Sequence, residues 1–138
     1  MKKYIFLALF FIPFLFLPGC GGERLPEVTG RVTLKGQDFQ NIHSGNVTFV
    51  PENGKPFYGT IQPDGTFRMK GADNRFGVRP GEYRVAVMVQ SAEEVRATPL
   101  ASAVRKLLSP SKYADIKTSG LTQTVPAGGV KDLIINLE

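Results

Sequence analysis

Cysteine and histidine each occur once in this chain, as Cys20 and His43, and tryptophan is absent. A single thiol excludes an intrachain disulfide and a thiolate metal cluster. A single imidazole leaves at most one histidine base, and a triad would also need a partnered acid and an oxyanion hole. His43 stands beside Ser44 with no Gly-x-Ser-x-Gly elbow or His-Glu-x-x-His helix around it, so a surface loop is its expected place. Acidic residues are scattered, with Glu93-Glu94 the sole adjacent pair and no Asp-x-Asp-x-Asp-Gly calcium loop. No catalytic residue, metal ligand or cofactor site is expected. The chain also lacks an apolar run long enough to span a bilayer. Tyr4 to Leu17 is Leu, Phe, Ile and Ala broken by Pro13, but as a helix it would reach only about 21 Å, short of the roughly 30 Å hydrocarbon core.

What is present at that end is an address. Met1-Lys2-Lys3 followed by this run reads as the n- and h-regions of a signal peptide, residues 1–19. The alternative is an uncleaved signal anchor. Leu17-Pro18-Gly19-Cys20 resembles the lipobox of bacterial lipoproteins, although Pro18 stands where that motif normally carries a small residue. The resemblance implies cleavage before Cys20, a diacylglyceryl group on its thiol and an acylated new amino terminus. One acyl chain binds only marginally, at about 0.8 kcal/mol per buried methylene, whereas two or three hold stably. Gly21-Gly22 lacks the Asp that retains some lipoproteins at the inner membrane, which points outward, toward the outer membrane or periplasmic face.

Without residues 1–19 the formal charge of +5 loses Lys2 and Lys3 and falls to +3. That mild basicity argues weakly for anionic surfaces and not for nucleic acid. The remaining chain has the size of one domain. Residues 20–27, with two glycines and Pro26, read as a tether from lipid to domain, and the domain as 28–138.

From Val28 the pattern is that of strands. Val28, Gly30, Val32 and Leu34 alternate with Thr29, Arg31 and Thr33, the period of two expected of a half-buried strand. Lys35-Gly36-Gln37-Asp38 supplies turn residues. Val47–Val50 and a weaker Phe57, Gly59, Ile61 run follow, and Pro63-Asp64-Gly65 gives the best hairpin signal, leading into a strand with Phe67 and Met69 on one face. After Pro80-Gly81 a long strand places Tyr83, Val85, Val87 and Val89 on one side. Leu121–Val125 and Leu133–Leu137, joined by Pro126-Ala127-Gly128-Gly129, complete seven strands, the pattern of an all-β sandwich. Ser91 to Gly120 breaks the rhythm: Leu100, Val104, Leu107 and Leu108, with Thr98 as N-cap and Pro99 at the first turn, predict a short helix near 99–109.

Several stretches together resemble the carboxypeptidase regulatory-like domain, a transthyretin-like (prealbumin-like) β-sandwich of the immunoglobulin-like kind. They are Gly30-Arg31-Val32 with Gly36, Val47–Pro51, Asp64-Gly65-Thr66-Phe67 and Pro80–Val85. Ser109–Asp115 with Thr118–Thr122 is similar to the ending of small bacterial lipoproteins that carry this domain. The family's usual Gly-x-Pro turn appears as Gly36-Gln37-Asp38, without the proline. The resemblance implies an accessory or binding module, since no catalytic neighbour is encoded.

Arg68, Lys70 and Arg84 fall on the outward parity of their strands, with Arg75 and Arg79 between, so a basic patch is expected if those strands pair. Lys35, Asn136 and Glu82 are the nearest candidates for an internal isopeptide. The expected function is that of a lipid-anchored envelope lipoprotein, non-enzymatic, binding a protein or a glycan. A small-ligand carrier stands second and a hydrolase third.

Overall fold

The computed structural model describes residues 24–93 and 104–138. Nine strands lie among them: β1 (Val28–Leu34), β2 (Gln37–Asp38), β3 (Ile42–Pro51), β4 (Phe57–Ile61), β5 (Thr66–Lys70), β6 (Gly81–Glu93), β7 (Val104–Leu107), β8 (Leu121–Val125) and β9 (Val130–Leu137). Among the described residues the fold is all-β, with one 3-10 turn at Ser111–Ala114. Each of the seven expected strands is present, and β2 and β7 are added to them.

Pairing runs β2-β1-β5-β4-β3-β6-β7, with β8 also on β6 and β9 also on β1. All these pairs are antiparallel except β1 with β9. β3, β4 and β5 form a meander, and β6 returns to lie beside β3, the order of a Greek key. Because β5 and β2 share one edge of β1, and β8 and β7 share one edge of β6, the nine strands occupy fewer columns than their number. Laid flat, the distance from β9 to β8 would be about 29 Å at ~4.8 Å per strand. Only Pro126–Gly129 connects these two edges, and it is closed as a turn by Gly129 N donating to Pro126 O at 2.9 Å. The sheet therefore curls, and its concave side encloses the core.

That core is filled by the alternating positions. Val28 and Val32 of β1, Val47 and Phe49 of β3, Phe67 and Met69 of β5, and Tyr83, Val85, Val87 and Val89 of β6 are all buried. Phe49 and Phe57 pack on Tyr83 at ring distances of 5.7 and 5.9 Å, and the Tyr83 hydroxyl donates to Arg79 O at 2.7 Å. Phe67 lies between two glycines on neighbouring strands. A Cβ on Gly59 would come 3.2 Å from its ring, and one on Gly30 would come 2.8 Å from it. Glycine, unfavourable inside a strand for its backbone entropy, is used here to admit a large neighbour.

The turns follow their residues. Lys35 and Gly36 both have positive φ, 49° and 74°, which a two-residue hairpin loop of type I′ requires. Asp38, in the place of the expected proline, pairs with Thr33 and holds Arg31 at 3.1 Å. In the β4-β5 hairpin Asp64 Oδ1 accepts from Thr66 N at 3.0 Å and from the Thr66 hydroxyl at 2.6 Å. These two bonds hold the Asp64 carboxyl below its ordinary value of 3.8. A depressed folded pKa stabilises the fold when the group is ionised, and that stability is lost as pH falls through the folded value. Asp64→Ala is therefore expected to lower Tm at neutral pH, by a margin that closes as the pH drops below about 4. Thermal unfolding across a pH series checks this; a margin independent of pH would refute it.

The expected helix near 99–109 is corrected where it is described. Val104–Leu107 is strand β7, antiparallel to Gln90–Glu93; the part of the expected helix before Val104 lies outside the described residues. The reason lies in β6. It is long enough that β8 covers only Gly81–Val85 of its outer edge, and bare edge groups at its far half need partners. β7 supplies them. Between β8 and β7 the edge is covered by the closing stretch: Val89 N donates to Ser109 Oγ at 3.1 Å, Leu108 N donates to Val89 O at 2.8 Å, and the Ser119 hydroxyl donates to Val85 O. The 3-10 turn drives Tyr113 into the interior at this point.

The last residues of the stretch expected to be a tether are packed. Leu25 packs against the core, Pro26 O accepts from Val78 N and Glu27 O from Val130 N, both at 2.9 Å. Leu25–Glu27 thus belong to the folded body. Cys20 and residues 1–19, expected from the sequence to be a signal peptide, lie outside the described residues.

Candidate interaction surface

Strand register sets the outward face. Thr60 of β4 pairs with Arg68 of β5, and Arg68 pairs with Thr29 of β1. Arg31 pairs with Thr66 on one side and with Ile134 of β9 on the other. Period-two alternation turns these side chains away from the core. With Gln62, Lys70, Phe76 and Asp132 they line an open depression of about 750 Å³. Threonine hydroxyls, the Gln62 amide, cations and the Asp132 carboxylate border it, but apolar atoms make up more of its lining than polar ones, with Ile134 and Phe76 exposed at 69% and 53%.

Arg31 and Arg68 are each held by a carboxylate. Arg68 Nε lies 3.0 Å from Glu27 Oε1, and its guanidinium carbon sits 4.0 Å above the centre of the Phe76 ring, a stacking geometry available to arginine. Among the described residues no carboxylate lies within ion-pair reach of Lys70.

The five expected basic residues do not form one patch. Arg68 and Lys70 share the depression just described. Arg84 sits on β6 beside Val50 and Thr122, in a separate hollow with Glu52, Glu82 and Thr124. Arg75 and Arg79 border a third, with Leu25, Asp73 and Tyr83. The expectation of a single patch required β5 and β6 to pair, and β4 and β3 lie between them. Asp73 Oδ2 accepts from Arg75 Nε at 2.6 Å, and this bond holds the Asp73 carboxyl below its ordinary value.

His43 is exposed and sits where the β3-β6 register slips between Ile42 and Ser44, as the extra residue of a bulge. Its neighbour Ser44 directs its hydroxyl to Gln90 Oε1 at 3.4 Å. Lys35 and Asn136 do meet near one turn, but Asn136 Oδ1 accepts from Gly36 N at 2.7 Å and from the Thr33 hydroxyl at 3.1 Å. Glu82 lies at the other end of the strands, opposite Thr124, so the three isopeptide candidates are not assembled. Among the described residues there is no cluster of three or more His, Cys, Asp or Glu side chains able to hold a metal.

Sequence reasoning found Arg68 and Lys70 by parity. It missed Phe76, whose signal was a lone aromatic in an otherwise polar loop, and Ile134, an apolar residue on the outward parity of β9. No protein-family model matches the chain, and neither a curated protein nor a solved structure matches it.

Proposed function

We propose that this protein is a lipid-anchored, non-enzymatic module of the bacterial cell envelope, whose domain binds a protein or glycan partner through its outer surface. The observation that carries the reading is the location of space in the domain. Interior positions such as Val47, Phe49, Met69, Val87 and Leu137 are fully buried, while the hollows are open and bordered by outward Thr, Gln, Arg and Lys side chains. A carrier of small apolar ligands would want a concave, mostly apolar cavity. The hollows here are open at the surface and not enclosed between the sheet's inner faces, which suits a macromolecular partner instead. The curled Greek-key sheet and the closing stretch are in keeping with a transthyretin-like sandwich of the carboxypeptidase regulatory-like kind.

Anchoring is the part of this function most open to test. Cys20→Ala, expressed with its own signal peptide, is expected to leave the membrane fraction almost completely, because two or more acyl chains supply the attachment. Mass spectrometry of the wild-type amino terminus should show the diacylglyceryl group on Cys20. Envelope cross-linking with both forms should recover a partner from the wild type and much less of it from the variant. Retention of Cys20→Ala in the membrane would count against the anchor.

A further inference from the structure

The direction of the strands sorts the loops between two ends of the domain. β1 runs away from Leu25, β9 runs with it, and β5, β4, β3, β6 and β8 alternate in turn. The loops 52–56, 71–80 and 126–129 therefore lie at the end where the chain joins the body, and the turns 35–36 and 62–65 lie at the other. The near end is held to the incoming chain: Pro26 O accepts from Val78 N, and Gly77 approaches Leu25 so closely that a Cβ there would lie 2.6 Å from its side chain.

The near end also has a distinctive surface. Among the described residues three large apolar side chains are exposed, and two of them, Tyr58 and Phe76, are here. Lys70 pairs with Tyr58 across β4 and β5 and bridges to Phe76, while Lys55, Arg75 and Arg79 border the neighbouring hollow with Asp73 and Glu82; Arg24, Glu52, Lys131 and Asp132 belong to the same end by their places in the chain. Asp73 is engaged by Arg75 and Glu27 by Arg68. An exposed aromatic set among cations is the composition that seats at a lipid head-group layer.

Distance limits the choice of orientation. Between Cys20 and the docked Leu25 the chain extends at most about 18 Å. Gly36, at the far end, stands about 26 Å beyond Val28 along β1. A chain anchored at Cys20 cannot stand with its far end on the bilayer.

We propose that the near end is a membrane-docking face on which Tyr58, Phe76, Lys55, Lys70, Arg75 and Arg79 meet anionic lipid head groups, leaving the far end directed outward. This rests on the reading of Cys20 as the lipid anchor. The test uses the lipidated full-length mature protein in vesicles of phosphatidylethanolamine and phosphatidylglycerol. Fluorophores go on Ala72→Cys at the near end or Gln37→Cys at the far end, since an acylated Cys20 offers no competing thiol. A nitroxide-bearing head-group lipid is expected to quench the label at 72 at least about threefold more than the label at 37. Adding Phe76→Ser and Arg79→Ala should remove about half of that ratio or more; an unchanged ratio would mean that the tether alone sets the distance, and would overturn the face. Equal quenching at 72 and 37 with Cys20 acylated overturns the docking alone. A mature chain whose Cys20 carries no lipid overturns the anchor reading, and the docking with it.

Discussion

Tyr113→Ala is expected to destabilise the domain by about 4 kcal/mol, within the range for truncating a buried aromatic side chain. Tyr113 is only 4% exposed although it sits on a short 3-10 turn. Its ring is inserted where the outer edge of β6 passes from β8 to β7, and its hydroxyl ties two distant parts of the chain together. That hydroxyl donates to Glu138 O at 3.2 Å and accepts from Glu138 N at 3.0 Å, so the plug is bonded to the chain just after β9. Removing the ring leaves a cavity at the closing end and frees both backbone groups of Glu138. Tyr113→Phe keeps the packing and gives up only the hydroxyl bonds, for about 1 kcal/mol. Urea titration should give midpoints in the order wild type, Tyr113→Phe, Tyr113→Ala with one common slope. A Tyr113→Ala midpoint within error of wild type would mean that the closing stretch unfolds separately from the sheet.

The strands were legible because the domain buries one face of each. Tyr83, Val85, Val87 and Val89 announce β6 by alternation alone, and Pro63-Asp64-Gly65 announces its turn by chemistry. The helix expected near 99–109 fails for a reason that local pattern cannot reach. Val104, Leu107 and Leu108 do have helical spacing, but what decides their conformation is the bare edge of Gln90–Glu93, and hydrogen-bond demand from a partner strand leaves no mark in the residues that answer it. β2 escaped because two residues are too few to show a period. The packing of Leu25–Glu27 was illegible for a similar reason, since these residues carry no alternation and Pro26 and Glu27 are held by backbone bonds to Val78 and Val130.

The surface was legible by parity and illegible by order. Arg68 and Arg84 do both point outward, as alternation requires. Whether they are neighbours depends on which strands pair, and the Greek-key return of β6 to β3 puts two strands between them. Phe76 gains its meaning from Arg68 above its ring, a contact between a strand and a loop that period-two reasoning does not address.

Gly30→Ala is expected to cost about 3 kcal/mol, at the upper end for overpacking, because the added methyl meets backbone. Gly30 stands in β1 opposite Phe67 on one side and Leu133 on the other. A Cβ there would collide with the Leu133 carbonyl oxygen and come 2.8 Å from the Phe67 ring. The ring can turn aside, but the carbonyl belongs to the parallel β1-β9 pairing and cannot move without loosening the strand that closes the curled sheet. Gly59→Ala provides the comparison. Its added methyl would lie 2.7 Å from Met69 Sδ, part of a flexible side chain that can adjust, so about 1 kcal/mol is expected. Combining Gly30→Ala with Phe67→Leu separates the two contacts, since relief would appear only if the ring were the obstacle. The expected double-mutant cycle shows little recovery, and full recovery would move the strain from the β1-β9 pairing to the ring.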